Sequence, residues 1–97
     1  MPTDIIDRTR LTLALNASAT QTGVVWAGGP GMFTCEATWG GGTVTLQVLS
    51  GNNTWIAVGT DTTLTANGAA GFMLPRGCQI RALIATATAV FAFVAPF

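Results

Sequence analysis

The sequence predicts an all-β fold, a small antiparallel β-sandwich or jelly-roll-like barrel of about eight short strands. Short runs of alternating apolar and polar residues recur along the chain, separated by clusters of Gly, Asn and Pro. No segment shows the spacing of apolar residues that an amphipathic helix requires. The 97 residues suffice for one domain with a thin core, because a chain of this length buries only about 60 to 70% of its unfolded surface.

Charge separates the start of the chain from the rest. Half of the charged residues lie among the first ten, so we expect an N-terminal arm, residues 1–8, and a single sandwich domain, residues 9–97. The first strand follows the arm, with Leu11, Leu13 and Leu15 on one face. A short strand is expected at 23–27. The Gly-Gly-Pro-Gly sequence at 28–31 should end it, as a turn through which no strand continues.

The middle of the chain predicts a β-meander. Its three strands cover 33–39, 43–48 and 55–58, and tight turns at 40–42 and 50–53 join them. Phe33, Cys35 and Trp39 fall on the apolar phase of the first strand, so we expect all three to be buried against the core.

The last third predicts four more strands, at 62–65, 70–74, 78–85 and 89–95. In the final strand, Val90 and Val94 alternate with Phe91 and Phe93, so neither face is polar. A thin domain can cover only one of these faces. We therefore expect the other, together with Phe97, to contact a neighbour in a homo-oligomer, with a homotrimer as the favoured state.

The composition lacks most of the side chains that enzymes use in catalysis. The chain has no His, Lys or Tyr, and its four Arg balance its four carboxylates. We therefore expect no enzyme, no catalytic residues and no cofactor. Zero net charge argues against nucleic-acid binding. The apolar C-terminal stretch is too interrupted to span a membrane. Charges in the first ten residues stand where the apolar region of a signal peptide would begin, so we expect no export by the standard route.

No metal or phosphate site is expected. Cys35 and Cys78 fit neither a zinc site nor a redox pair, and in a reducing cytoplasm they should stay unbridged. The Gly clusters lack the phosphate-binding loop pattern and are interpreted as hairpin turns. Asp61 stands alone beside Gly59 and Thr60, so a turn cap is favoured over a calcium ligand.

Two kinds of residue are candidates for contacts with a partner. An exposed indole can stack on a sugar, which keeps a lectin-like role open for Trp26 or Trp55. Each Arg could anchor an interface, because its guanidinium offers a bidentate fork to carboxylates. The candidate interface residues are Ile5, Ile6, Arg8, Arg10, Arg76, Arg81, Phe91, Phe93 and Phe97.

Two motifs carry a resemblance to a known family. The first is Phe-x-Cys-x-Ala-x-Trp-Gly-Gly-Gly-x-Val-x-Leu-Gln-x-x-Ser over 33–50, followed by Trp55. The second joins Thr-Ala-Asn-Gly at 65–68 with Leu-Pro-Arg-Gly-x-x-Ile-Arg-Ala at 74–82. Over 31–93 the chain resembles small all-β capsid decoration, or cement, proteins of tailed bacteriophages.

The resemblance implies a protein that adds to an assembled capsid shell, often as a trimer over gaps between capsomers, and strengthens it without chemistry. Its partner would be the major capsid protein, and its location the capsid surface after synthesis in the host cytoplasm. The alternative is a lectin-like binding module, or a fibre or host-attachment component of a virion.

The arm yields a prediction. Residues 1–8 contain few apolar side chains besides Ile5 and Ile6, so they cannot form a core and are expected to act in attachment. Deleting 1–7 should leave the cooperative thermal transition intact and weaken binding to particles, measured by co-sedimentation. Loss of the transition would place the segment in the core, and unchanged binding would remove its role in docking.

Overall fold

The computed structural model describes residues 10–97, so the predictions for the arm, including Ile5, Ile6 and Arg8, lie outside the described residues. Within that range the chain forms nine strands and one short 3₁₀ helix, Thr60–Thr62. The strands are β1 (Leu11–Ala17), β2 (Val24–Val25), β3 (Gly29–Thr38), β4 (Thr43–Leu49), β5 (Trp55–Ala57), β6 (Thr63–Leu64), β7 (Gly68–Leu74), β8 (Gln79–Ala85) and β9 (Thr88–Pro96).

The strands form two antiparallel sheets. Sheet A has the order β1-β9-β3-β7, and sheet B has the order β2-β8-β4-β5, with β6 also paired to β4. Outside the β4-β5-β6 segment, each connection between strands of residues 10–97 passes from one sheet to the other. This interleaved order is that of a jelly roll, which confirms the predicted fold class.

The core lies between the sheets and follows the period-two alternation of the strands. Each sheet contributes side chains that are at most 1% exposed. Sheet A supplies Phe33, Cys35, Val90, Ala92 and Val94, and sheet B supplies Val44, Leu46, Ile80 and Ala82. The prediction that β9 carries an apolar inner row and a second, outward apolar row is therefore confirmed for the inner row.

The predicted β-meander is confirmed for its second hairpin, β4–β5, and is wrong for its first, because β3 and β4 lie in different sheets. β3 pairs with β7 and β9 in sheet A, whereas β4 pairs with β8, β5 and β6 in sheet B. The turn between β3 and β4 is tight, with Gly40 at φ 53° and Gly41 at φ 83°. A Cβ at Gly42 would overlap the backbone of Ala85 and Ala87, so this glycine lets β4 start against the β8–β9 corner. The alternation of apolar and polar residues predicts which side chains of these strands face the core, but it does not predict which strands pair.

The turn predicted at 28–31 is shorter than expected. Positive φ is confined to Gly28 and Gly29, and β3 already begins at Gly29 and continues through Pro30. Pro30 lies at the second residue of the strand, where a missing N–H is tolerated. Its carbonyl accepts a hydrogen bond from the N–H of Phe97 at 3.2 Å.

The leucines of β1 do not share one face. The register of β1 against β9 shifts twice, between Thr12 and Ala14 and again before Ala17. Such bulges rotate the following side chains, so Leu13 is buried while Leu15 is 66% exposed. The strand predicted at 62–65 is also shorter, because the 3₁₀ helix occupies its start. Asp61 lies inside that helix, whose N-cap is Gly59, and so does not cap it.

Trp26 joins the two sheets at one end of the sandwich. Its side chain is fully buried, and its ring packs on Phe72 of sheet A at a centroid distance of 4.9 Å. Its backbone N–H donates to the carbonyl of Cys78 at 2.7 Å, and its carbonyl accepts from the N–H of Gly77 at 2.9 Å. The indole N–H donates to the carbonyl of Gly29 at 3.2 Å, so the polar group of the buried ring is satisfied.

Gly31 makes room for this ring, which generates a stability prediction. A Cβ at Gly31 would lie 2.6 Å from the Trp26 ring and 2.9 Å from that of Phe72. Gly31→Ala should therefore lower the free energy of unfolding by about 1 to 3 kcal/mol, the usual cost of overpacking, measured by urea denaturation. Gly51→Ala is the control, since no atom lies within 4 Å of its Cβ position. Equal stability of the two variants would contradict close packing at Gly31.

Candidate interaction surfaces

The outer face of sheet A is the first candidate surface. Residues that lie opposite one another in the ladders share a face, and here Phe93 lies opposite both Thr12 and Thr34, and Phe91 opposite Glu36. The face consists of Thr12, Met32, Thr34, Glu36, Ala69, Gly71, Met73, Phe91, Phe93 and Ala95. Both phenylalanines are half-buried, and Met73 is 70% exposed. The face is mostly apolar, with one carboxylate.

A depression of about 430 Å³ lies in this face. Phe91 and Phe93 line it, together with the polar side chains of Arg10, Thr34, Glu36 and Asn67. The guanidinium of Arg10 lies 4.2 Å from the centre of the Phe93 ring, a cation–π distance. The depression therefore combines aromatic side chains with charged groups of both signs.

Asn67 fixes one wall of the depression. Its side-chain oxygen accepts hydrogen bonds from the indole N–H of Trp39 at 2.8 Å and from the backbone N–H of Ala37 at 3.1 Å. These bonds tie the β6–β7 turn to the end of β3, where the ladder with β9 is irregular. The prediction that Trp39 is buried against the core is confirmed in part: its side chain is half-buried and packs against the core cluster, and its indole N–H reaches Asn67 just beyond the end of β3.

The outer face of sheet B is the second candidate surface and is more polar. Arg81 on β8 lies opposite Gln47 on β4, and its Nε–H donates to the Gln47 Oε1 at 2.8 Å. Its guanidinium carbon lies 4.4 Å from the ring centre of Trp55 on β5. Gln47 and Thr45 point outward yet are only 9% exposed, because neighbouring side chains of this face cover them.

The strand edges differ in how open they are. β2, β5 and β6 have two or three residues each, and β1 is interrupted by register shifts. β7 pairs with β3 over seven consecutive positions and carries no charge or proline. Among residues 10–97 it is therefore the long, regular edge strand, and it also contacts the 3₁₀ helix.

The predicted interface residues divide between these surfaces. Phe91, Phe93 and Arg10 come together on sheet A, and Arg81 lies on the opposite sheet. Arg76 is exposed in the β7–β8 turn, close to the backbone of Gly28. Phe97 is 63% exposed at the end of the chain. Sequence reasoning missed Glu36, Asn67 and Gln47, because their roles depend on strands that pair far apart in sequence.

The three tryptophans offer little free indole surface. Trp26 is wholly buried, and the edge of Trp39 is bonded to Asn67. The Trp55 ring, which the sequence left open, is half-buried, with Arg81 over one face and its edge close to Gly23. None of the three stands out from the surface as a sugar-stacking platform usually does.

Two negative findings concern the described part of the chain. Residues 10–97 contain no group of three or more His, Cys, Asp or Glu side chains that could hold a metal ion. The same range has no helix with the length and hydropathy needed to cross a membrane.

Comparisons with known proteins show the fold alone. No protein-family model and no curated protein matches the chain. Among solved structures, the chain is similar to the SPBc2 prophage-derived protein YomS, with a TM-score of 0.67 and 12% sequence identity. The similarity covers 91% of this chain and 89% of YomS, so it extends over nearly the whole sandwich.

The two cysteines are free thiols, and Cys35 generates a pH prediction. Burial, with a smaller contribution from the neighbouring Glu36 carboxylate, raises the pKa of the Cys35 thiol to about 11. The folded protein then holds a proton that the unfolded chain loses near pH 9. The contribution of the Cys35 thiol to the free energy of unfolding is therefore fully present below pH 9 and is lost as the pH rises toward 11.

The free energy of unfolding should fall by up to about 1.4 kcal/mol per pH unit in that window, measured by urea denaturation. The chain has no Lys, Tyr or His to titrate there, which keeps the measurement clean. Cys35→Ala should abolish the decline, and Cys78→Ala should retain it. If the free energy of unfolding of Cys35→Ala still falls over this pH range, a group other than Cys35 causes the fall.

Proposed function

We propose that this protein is a structural component of a bacteriophage virion and, within it, a capsid decoration protein that binds and strengthens the assembled shell. Three observations support this proposal. The sandwich is similar in fold to a prophage-derived protein. The motifs at 33–50 and 65–82 resemble capsid decoration proteins, and the surfaces of the domain suit docking better than chemistry.

The outer face of sheet A carries the proposal. Phe91 and Phe93 lie next to each other on the outer face of β9 and take no part in the core. The inner side of this strand is occupied by Val90, Ala92 and Val94. Contiguous apolar surface on a small domain marks an interaction site. With Arg10 stacked on Phe93 and Glu36 opposite Phe91, the face combines aromatic and charged groups, and aromatic residues and Arg are enriched at protein–protein interfaces.

We further propose that this face contacts a neighbouring copy in a homotrimer. In a cyclic trimer, the face of one copy meets a different surface of the next, so the apolar row need not be self-complementary. The open edge of β7 adjoins the same face and could extend the contact by strand pairing. The arm, residues 1–8, then remains to contact the major capsid protein.

Mass spectrometry and a cryo-EM map of purified particles test the virion assignment. Multiple copies per particle at regular sites on the shell are expected. Absence from particles would overturn the proposal, and density on a fibre or tail would favour the host-attachment alternative. Glycan-array binding addresses the lectin-like alternative, for which the structure offers less because Trp26, Trp39 and Trp55 are already engaged.

The role of the apolar face generates a further prediction. Phe93→Ser should convert the oligomer to monomer in analytical ultracentrifugation at micromolar concentration, because it removes apolar area from the centre of the contact. Ile56→Ser is the matched control: Ile56 is 49% exposed on sheet B and should leave the oligomer intact. A wild-type protein that stays monomeric at high micromolar concentration would contradict the trimer.

A further inference from the structure

Arg81 is held more firmly than the other described arginines. One contact fixes it in the plane of the sheet, the hydrogen bond from Nε–H to Gln47 at 2.8 Å. The other supports its flat face, the Trp55 ring at 4.4 Å. The side chain is half-buried, so part of it remains open to solvent. A guanidinium restrained in this way loses little conformational entropy when it binds a ligand.

The two terminal amino groups of Arg81 are left for a partner. Within residues 10–97, the hydrogen bond that the side chain makes uses Nε alone. The end of the guanidinium, with its two amino groups, matches the spacing of two carboxylate oxygens. Trp55 and Gln47 therefore orient a bidentate donor on the outer face of sheet B.

We propose that Arg81, together with Trp55 and Gln47, forms a binding site for a carboxylate side chain of a partner protein. The charge on this face selects the ligand. Its other members near Arg81 are neutral, namely Thr45, Gln47, Trp55, Gln79 and Leu83. A single guanidinium balances a single carboxylate, whereas a nucleic-acid backbone requires a concentrated positive surface.

The other described arginines serve as internal controls. Arg76 is exposed in a turn, and Arg10 lies on Phe93 of the opposite sheet. Neither has a side-chain hydrogen bond to a partner that aligns it within residues 10–97. A preformed site therefore predicts a response at Arg81 that Arg76 does not share. The site is independent of the capsid proposal, because it concerns the chemistry of any acidic protein partner.

The test is an NMR titration of the full chain with sodium acetate, at constant ionic strength against sodium chloride. The arginine Nε–H and indole N–H signals are followed. We expect saturable shifts at Arg81 and Trp55, and none beyond the chloride reference at Arg76. Shifts at Arg81 that do not exceed those at Arg76 would overturn the proposal. Tighter binding of inorganic phosphate than of acetate would overturn the carboxylate assignment.

Two variants distinguish the role of Arg81, which would bind the carboxylate, from that of Gln47, which orients Arg81. Arg81→Lys keeps the charge but loses the fork and the stacking, and should abolish saturation at Trp55. Gln47→Leu keeps Arg81 and removes its acceptor, and should weaken acetate binding by about two- to fivefold. Arg76→Gln is the matched control and should bind as the wild type does. Equal affinity of all three variants would overturn the site, and unchanged backbone amide spectra would show that each variant is folded.

Discussion

Trp26 fills the end of the sandwich where the β2–β3 and β7–β8 connections meet, and both sheets depend on its position. Its backbone bonds to Gly77 and Cys78 hold it to the start of β8, while its ring packs on Phe72 in sheet A. Gly31 leaves the space that the indole occupies. Because a thin sandwich has few large core side chains, one fully buried tryptophan contributes a large share of the apolar contact between the sheets.

The inner faces of the two sheets fill the core, so the side chains on the two outer faces can differ from each other. Sheet A turns Phe91 and Phe93 outward beside Arg10, and sheet B turns out Arg81 stacked on Trp55. Only five charged residues lie within 10–97, and two of the three arginines there rest on aromatic rings. Charge on both outer faces is thus placed next to aromatic surface.

The buried cysteine of the core has little reactivity. Cys35 behaves as a small apolar side chain between the sheets, and its raised pKa keeps it protonated and unreactive at neutral pH. The described part of the chain holds no metal-binding cluster.

The sequence by itself determined most of the strands and their faces, because side chains alternate with a period of two wherever one face is buried; β1, whose bulges break the alternation, is the exception. It therefore predicted the jelly-roll-like sandwich, the inner row Val90, Ala92 and Val94, and the outward row Phe91 and Phe93. Tertiary structure decided which strands pair. The tight glycine turn after Trp39 suits a hairpin as well as a crossing between sheets, and the crossing is selected because β3 pairs with β9 on one side and with β7 on the other, which leaves it no edge for β4. The surface sites followed from that choice, since Gln47 and Arg81 are 34 residues apart in sequence and meet only through the β4–β8 ladder.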